Sequence, residues 1–228
     1  MARRKVLIID GDDTLWENNV YFEQAIEDFI DFLAHSTLSR EQVRTTLDEI
    51  ERLNSDVHGY GTAAFARNLR ETYERLAEHA IETRHLEHVM NLGRRIVQVD
   101  LQLLPGVAET LDYLAGRHRL LLFTKGEPEE QRLKVQRSGL GPRFDQVVVA
   151  KEKDVAAYQQ LIRDHDIEAH QAWMVGNSPR SDINPALAAG LRAVFIPHPH
   201  TWRLEHAEVQ ADRRLLVLQS FGQLRDYF

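Results

Sequence analysis

In the second half of the chain, short apolar runs alternate with amphipathic segments, and this alternation predicts a parallel sheet. Strands that alternate with helices form parallel sheets, because each helix returns the chain to the start of the next strand. The predicted elements are helices over 106–116, 127–138, 154–165 and 184–189, and strands over 119–123, 145–149, 171–175 and 192–196. A further short strand near 214–218 and a final helix from about residue 220 complete this region.

Residues with special backbone roles support these boundaries. Gly139 and Gly190 lie where two of the helices are expected to end, since glycine readily adopts the left-handed conformation found there. Asn184 followed by Pro185 is typical of an N-cap with proline in the first turn. The apolar run Lys5 to Ile9 predicts one more strand, which must join the later sheet.

The pattern between residues 17 and 103 is helical throughout. Ser39 and Gln42 have the spacing of a capping box, and helical periodicity recurs at about 62–80 and 85–99. A chain of 228 residues corresponds to about one and a half domains. We therefore expect an α/β core formed by 1–16 and 104–228, with a helical domain inserted over 17–103. The first predicted helix, over 20–34, places five apolar side chains at helical spacing: Phe22, Ile26, Phe29, Ile30 and Leu33.

The composition narrows the possible classes of protein. With 43% hydrophobic and 28% charged residues the chain is typical of a globular protein. It contains no cysteine, which excludes disulfides, thiolate metal sites and a cysteine nucleophile. The apolar run near the N-terminus is too short for a signal peptide or a membrane span, so we expect a cytoplasmic location and no membrane partner.

The net charge of −7 is unevenly distributed. Residues 17 to 103 hold 16 acidic and 9 basic side chains, and the rest of the chain holds 19 of each. An acidic surface repels phosphate backbones, so we expect no nucleic-acid partner. The sequence leaves open whether the protein is a monomer or a homodimer.

Polar, reactive residues follow four of the predicted strands. In an open parallel sheet, ligands bind beyond the carboxyl ends of the strands, near the point where the strand order reverses. The four loops should therefore meet at one edge, where their carboxylates, hydroxyls and amines complement one another. The loops comprise residues 10–14, 124–126, 151–154 and 176–182.

These residue types suit chemistry on a phosphate ester. Hard oxygen donors favour Mg²⁺, and Asp10, Asp12, Asn177 and Asp182 supply them. Asp10 directly ends a strand and is the candidate nucleophile, while Asp12 is placed to act as general acid and base. The candidate ligands of the substrate phosphate are Thr124, Lys125, Gly126 and Lys153.

The same four segments resemble the four motifs of the haloacid dehalogenase superfamily, in the family's order. The segments are VLIIDGDDTL, LLLFTKG, the lysine of AKEKD, and MVGNSPRSDI. The resemblance implies a Rossmann-like core with a helical cap over 17–103. It also implies a Mg²⁺-dependent phosphatase that hydrolyses a small phosphorylated metabolite through an aspartyl-phosphate. In that scheme Asp10 is nucleophile and metal ligand, Asp12 the acid/base, Thr124 a phosphate ligand, Lys153 the charge-neutralising amine and Asp182 a metal ligand.

Three positions depart from the family pattern or leave a choice. Asn177 stands where the fourth motif usually begins with Asp, which removes one negative charge and should weaken Mg²⁺ binding. Asp13 occupies a position that is often glycine, and a turn is its simplest role. Lys151 competes with Lys153 for the site amine, and we favour Lys153 because it begins the following helical pattern.

Two other functions remain open from the sequence. Haloacid dehalogenases also use an Asp nucleophile, but they usually lack the second carboxylate, which Asp12 supplies here. A non-catalytic binding or regulatory module on the same fold is favoured only by Asn177.

Several further residues have a structural interpretation that we prefer. The prolines around His198 and His200 indicate an extended loop rather than a metal site, and no partner carboxylate is evident. His58 and Tyr60 are expected in a turn between helices, with a role at the site as the alternative. Arg180 is expected to be structural, while Arg67 or Arg70 remain candidates for binding a charged substrate tail.

Overall fold

A computed structural model describes residues 4–228, apart from the side chain of residue 56. The chain forms two compact units. One unit comprises Met1–Asn18 and Leu101–Phe228, and the other comprises Asn19–Asp100.

The first unit contains a six-stranded sheet in which every neighbouring pair of strands is parallel. The strand order is β3-β2-β1-β4-β5-β6. The strand order reverses at β1, which lies between β2 and β4 with Ile9 beside Leu122 and Val175. A ligand crevice is expected beyond this point of the sheet. The strands are β1 Val6–Ile9, β2 Arg119–Lys125, β3 Gln146–Ala150, β4 Ala172–Gly176, β5 Arg192–Phe195 and β6 Leu215–Val217.

The second unit is helical over its described residues. Ser39 and Gln42 form the predicted capping box at the start of its second helix. Of the five apolar residues predicted for the first helix, Ile26, Phe29 and Ile30 are buried and the other two pack partly buried against the same core. The helices are α1 Asn19–Leu33, α2 Arg40–His58, α3 Thr62–Leu76 and α4 Thr83–Arg94, the last continued by a 3₁₀ helix over Arg95–Gln98. None of the helices in residues 4–228 is long and apolar enough to span a membrane.

Helices of the first unit pack on both faces of its sheet. Alternate residues of a strand face opposite sides, so Leu120 and Leu122 belong to one core while Leu121 and Phe123 belong to the other. This arrangement confirms the predicted α/β architecture with a parallel sheet. The helices are α5 Val107–Ala115, α6 Pro128–Ser138, α7 Val155–Asp164 and α8 Asn184–Ala188.

The predicted final helix is present as a 3₁₀ helix over Phe221–Asp226, and one predicted cap differs from the structure. Asn184 does not cap α8, because a π-helical turn over Pro179–Ile183 runs directly into it and Asn184 already has helical backbone angles. Its side chain donates instead to the backbone carbonyl of Glu208, at 2.9 Å.

Candidate active site

The carboxyl ends of four neighbouring strands place the predicted reactive residues at one edge of the sheet. Asp10 follows β1, Thr124 and Lys125 end β2, and Lys153 lies three residues beyond β3. The loop after β4 carries Asn177 and Asp182. The sheet thus brings together residues that lie more than 170 positions apart in the chain.

Lys153 is the centre of this cluster. Its ammonium donates to Asp10 Oδ1 at 2.7 Å and to Asp182 Oδ1 at 2.5 Å. Lys153 is only 2% exposed and Asp182 only 1%. Lys151 is exposed, so Lys153 is the lysine that the structure places in the cluster.

The two carboxylates carry more negative charge than one ammonium neutralises. Burial and the charge of Asp182 raise the pKa of Asp10 to about 7, although Lys153 acts in the opposite direction. Burial alone lowers the pKa of Lys153, but the charges of both carboxylates outweigh it and hold that pKa above its ordinary value. A cation beside the carboxylates would therefore be stabilised by the site.

Asn177 adds a neutral oxygen to this group. The Thr14 hydroxyl lies 3.1 Å from Asp10 Oδ2 and 3.3 Å from Asn177 Oδ1. These two oxygens therefore share one donor and lie close together. The Asn177 amide nitrogen donates to Thr201 Oγ1 at 2.9 Å, so its oxygen is the atom that faces the cluster. Asp10, Asp182 and Asn177 together form a hard oxygen set with excess negative charge, which fits Mg²⁺.

Gly176 leaves the space that Asp182 occupies. A Cβ atom on Gly176 would collide with the side-chain carboxylate of Asp182. The backbone N–H of Ser178 donates to Asp182 Oδ2 at 2.9 Å, which fixes the carboxylate while Oδ1 receives Lys153. The sequence Gly176 to Asp182 therefore folds so that one carboxylate is buried and oriented.

Asp12 is held by a separate set of donors. Its carboxylate accepts from Trp16 Nε1 at 2.6 Å, from Gln131 Nε2 at 2.9 Å, and from the Lys134 ammonium at 2.9 and 3.0 Å. Burial raises the pKa of Asp12, but the charge of Lys134 and these hydrogen bonds outweigh it and leave the pKa below its ordinary value. The charge of Asp12 still contributes to the raised pKa of Asp10, so the two carboxyls are electrostatic neighbours.

Thr124 and Gly126 surround the Gln131 amide at the end of β2. The Thr124 hydroxyl, 1% exposed, donates to Gln131 Oε1 at 3.2 Å. Gly126 has a φ of 146°, and a Cβ there would lie 2.8 Å from Gln131 Nε2. Glycine is therefore required for this turn. The cap of α6 is Glu127, whose side chain accepts the N-cap hydrogen bond, so Thr124 is not the cap.

Lys125 already has three acceptors. Its ammonium lies 2.5 Å from Glu205 Oε1, 3.1 Å from Ser181 Oγ and 3.2 Å from Glu152 Oε1. An ammonium has three hydrogens to donate, so these contacts use its full capacity. The structure thus places this predicted phosphate ligand in an ion-pair network.

Asp13 adopts the turn conformation expected of it and also lies beside a histidine. Its φ is 58°, and its carboxylate accepts from the Asn18 N–H at 2.9 Å. His198 has Nδ1 3.8 Å from Asp13 Oδ1 and Nε2 3.4 Å from Glu17 Oε2. The expectation that this histidine lacks partner carboxylates was therefore wrong. Ligand atoms of these three side chains lie within 4.8 Å of one another, and His198 Nδ1 also accepts the backbone N–H of His200 at 3.3 Å.

The remaining candidates take structural positions. His58 ends α2, and Tyr60 follows in the turn before α3, as expected. Arg180 donates to the Leu204 carbonyl at 3.0 Å. Arg67 is exposed on α3, and Arg70 pairs with Glu74 in the same helix.

Sequence reasoning did not single out several residues that contact the predicted site residues, among them Gln131, Lys134, Ser178 and Glu205. Lys134 had a signal, since it is one of only five lysines in the chain. Glu205 had none, because it lies in a long loop after β5 whose position the apolar pattern does not predict.

Residues 4–190 match the model of the haloacid dehalogenase-like hydrolase family. The chain belongs to the haloacid dehalogenase-like hydrolases. Among curated proteins, this hydrolase is 29% identical over 103 residues to a pyrimidine 5'-nucleotidase of Escherichia coli strain K12, covering 42% of this chain and 46% of the relative. It is 31% identical over 114 residues to a phosphoserine phosphatase of Thermus thermophilus, covering 48% of this chain and 43% of the relative. The matches thus span less than half the length of each relative.

Solved structures cover the chain more fully. A haloacid dehalogenase-like family hydrolase from Xanthomonas campestris superposes with a TM-score of 0.84 at 28% identity, covering 98% of this chain and 94% of that one. The L-2-haloacid dehalogenase of Xanthobacter autotrophicus has a TM-score of 0.67 at 14% identity over 98% of each chain, which shows the shared fold alone.

Proposed function

We propose that this hydrolase is a Mg²⁺-dependent phosphatase that cleaves a small phosphorylated metabolite through a phosphoryl group carried on Asp10. The observation that carries the proposal is the buried Lys153 ammonium, which donates to both Asp10 and Asp182. A nucleophilic carboxylate must approach a negative phosphate, and cationic groups offset the repulsion. The names of the two curated relatives, a nucleotidase and a phosphoserine phosphatase, support the same class of substrate.

Asp10, Asp182 and the oxygen of Asn177 are the residues that would hold Mg²⁺. When bound, the ion supplies positive charge that neutralises the phosphate and the two carboxylates. Asn177 brings no charge of its own, so we expect weaker binding than an aspartate at this position would give.

In the first step, an Asp10 oxygen attacks phosphorus, and the bond from phosphorus to the leaving oxygen breaks. Asp12, in its protonated form, gives its proton to that leaving oxygen. Lys153 keeps Asp10 oriented and offsets the charge that the incoming phosphate brings. The Thr124 hydroxyl and Gly126 lie at the same strand end and are proposed to contact the phosphate.

In the second step, water attacks phosphorus, Asp12 accepts a proton from the water, and inorganic phosphate leaves Asp10 as a carboxylate. This step needs the ionised form of Asp12, and the surroundings of Asp12 support that form. Three donors surround it and its pKa lies below the ordinary value, because the charge of Lys134 and the hydrogen bonds outweigh the effect of burial. We propose that the helical unit, Asn19–Asp100, acts as the cap that selects the substrate, in a cytoplasmic enzyme without nucleic-acid or membrane partners.

A haloacid dehalogenase is the alternative activity, because such an enzyme also uses an Asp nucleophile. A dehalogenase has no need of a second carboxylate near the nucleophile, whereas Asp12 is held by three donor side chains. The non-catalytic module is disfavoured by the buried contact of Lys153 with the candidate nucleophile.

The test is a screen for phosphate release from an aryl phosphate and a panel of phosphorylated metabolites, with and without Mg²⁺. We expect Mg²⁺-dependent release, and a loss of about 10³-fold or more in kcat for Asp10→Asn. Asp226→Asn makes the same change at an exposed position of the first unit and should keep full activity. Absence of phosphate release, or chloride release from a 2-haloacid instead, would refute the proposal.

A further inference from the structure

Glu205 is a buried carboxylate outside the four motif segments. It ends a short 3₁₀ helix, Arg203–Glu205, in the loop between β5 and β6, and it is only 9% exposed. A buried carboxylate is costly unless it is paired and hydrogen-bonded, so its partners indicate what it does.

Both oxygens of Glu205 contact loops of the active site. Oε1 lies 2.5 Å from the Lys125 ammonium, at the end of β2. Oε2 accepts the hydroxyl of Ser178, in the loop after β4. Lys125 in turn donates to Ser181 of that same loop at 3.1 Å. Glu205 and Lys125 therefore hold the loop after β4 at two points, Ser178 and Ser181.

Ser178 connects this network to Asp182. While the Ser178 hydroxyl donates to Glu205, its backbone N–H donates to Asp182 Oδ2 at 2.9 Å. The Ser178 hydroxyl oxygen also accepts the Ser181 N–H at 2.9 Å. One serine therefore transmits the position of Glu205 to the carboxylate that contacts Lys153.

We propose that Glu205 is a positioning residue that, through Ser178 and Lys125, holds the loop carrying Asp182 in the geometry that binds Mg²⁺. This inference rests on the proposed function, because it assumes that Asp182 is a metal ligand. It also gives Lys125 a different role, in which its ammonium neutralises Glu205 and clamps the loop instead of binding the substrate phosphate. Residues that orient metal ligands in this way typically change metal affinity by about 10–100-fold when they are removed.

The test compares Mg²⁺ binding by Glu205→Gln and by wild type, measured by titration calorimetry and by the Mg²⁺-induced rise in Tm, neither of which requires turnover. Glutamine keeps the size of the side chain and an acceptor for Ser178 but loses the charge that pairs with Lys125. We expect the apparent Kd for Mg²⁺ to rise about 10-fold or more. Glu208→Gln is the matched control, since Glu208 is exposed in the same loop, and it should bind Mg²⁺ like wild type.

A second variant keeps the test informative if Glu205→Gln does not fold. Ser178→Ala removes the hydroxyl that donates to Glu205 but keeps the backbone N–H that donates to Asp182. This variant should also weaken Mg²⁺ binding. A folded Glu205→Gln or Ser178→Ala that binds Mg²⁺ as tightly as wild type would overturn the inference, even if its Tm without Mg²⁺ is lower. If wild type itself binds no Mg²⁺, both this inference and the metal-dependent function fail. Normal wild-type binding with unaffected variants rejects the role of Glu205 alone.

Discussion

Lys153 and Lys134 each place an ammonium against a candidate catalytic carboxylate, but the pKa of one carboxyl is raised and that of the other is lowered. Lys153 contacts two buried carboxylates, and burial together with the charge of Asp182 still raises the pKa of Asp10 to about 7. Lys134 contacts both oxygens of Asp12, and its charge, together with the hydrogen bonds from Lys134, Gln131 and Trp16, outweighs burial to lower the pKa of Asp12. The two neighbouring carboxyls thus have different proton affinities, so a cation beside Asp10 would be needed to keep it ionised as the nucleophile, whereas Asp12 favours the ionised form without one.

We predict that Lys134→Met impairs proton transfer by Asp12 more than it impairs the fold. Lys134 also donates to Asn18 Oδ1 at 2.8 Å, so it fixes the Asp12 carboxylate relative to the chain that follows it. Without Lys134 the pKa of Asp12 should rise, which weakens Asp12 as the base that accepts a proton from water in the second step. We expect kcat on a phosphate monoester to fall about 10-fold near neutral pH, and the acidic limb of its pH profile to move to higher pH.

Arg132→Met is the matched control for this measurement. Arg132 is exposed in the same helix, so the substitution removes one positive charge without touching Asp12. An unshifted pH profile for Lys134→Met, or equal shifts in the two variants, would assign Lys134 a purely structural role.

At the residue scale, the sequence predicted which loops carry reactive groups but not every contact among them. The apolar pattern makes three residues predictable, because each lies in the loop directly after an apolar strand: Asp10, Lys153 and Asp182. Whether Lys125 is free or paired depends on Glu205, 80 positions away in a loop without periodic pattern. Long-range polar pairs of this kind leave no local signal in a single sequence.

At the scale of elements, α3 and α4 pack so closely that one glycine is required. A Cβ on Gly93 in α4 would lie 2.9 Å from Ala66 Cα in α3, closer than such atoms pack. Alanine is the better helix former by about 1 kcal/mol, but overpacking costs roughly 1–3 kcal/mol. We predict that Gly93→Ala lowers the free energy of unfolding, measured by urea denaturation.

Gly116, at the C-terminus of α5, provides the opposite case. Its φ is −71°, and a Cβ there would meet no atom within 4 Å. We expect Gly116→Ala to stabilise the protein by about 0.4–1 kcal/mol, because alanine reduces the entropy of the unfolded chain. If Gly93→Ala proves as stable as Gly116→Ala, the described packing of α3 against α4 is incorrect.

Elements with strong local signals were predicted well. Apolar runs located the strands, and Ser39 with Gln42 located the start of α2. The errors fell where tertiary contacts decide the local structure. Asn184 was misassigned because the preceding π-helical turn, which buries Asp182, replaces a free helix start.

For the whole molecule, the central feature is the parallel sheet whose strand order reverses at β1. This topology brings the carboxylates of Asp10 and Asp182 within hydrogen-bonding distance of the Lys153 ammonium. The acidic excess of the chain lies in residues 17–103, and the residues that form the rest of the chain are balanced in charge. The positive charge needed for a phosphate must therefore come from single placed groups such as Lys153 and from the cation.

The most direct test is to trap the phosphoryl group on Asp10. Wild-type protein is mixed with Mg²⁺ and a phosphate monoester that it hydrolyses, quenched in acid within the first turnover, and digested for peptide mass analysis. The account predicts that the peptide containing Asp10 gains the mass of one phosphoryl group, that the group disappears as turnover completes, and that Asp10→Asn never gains it. Phosphate release without any phosphorylated peptide throughout the first turnover, or with the group on another residue, would contradict the account.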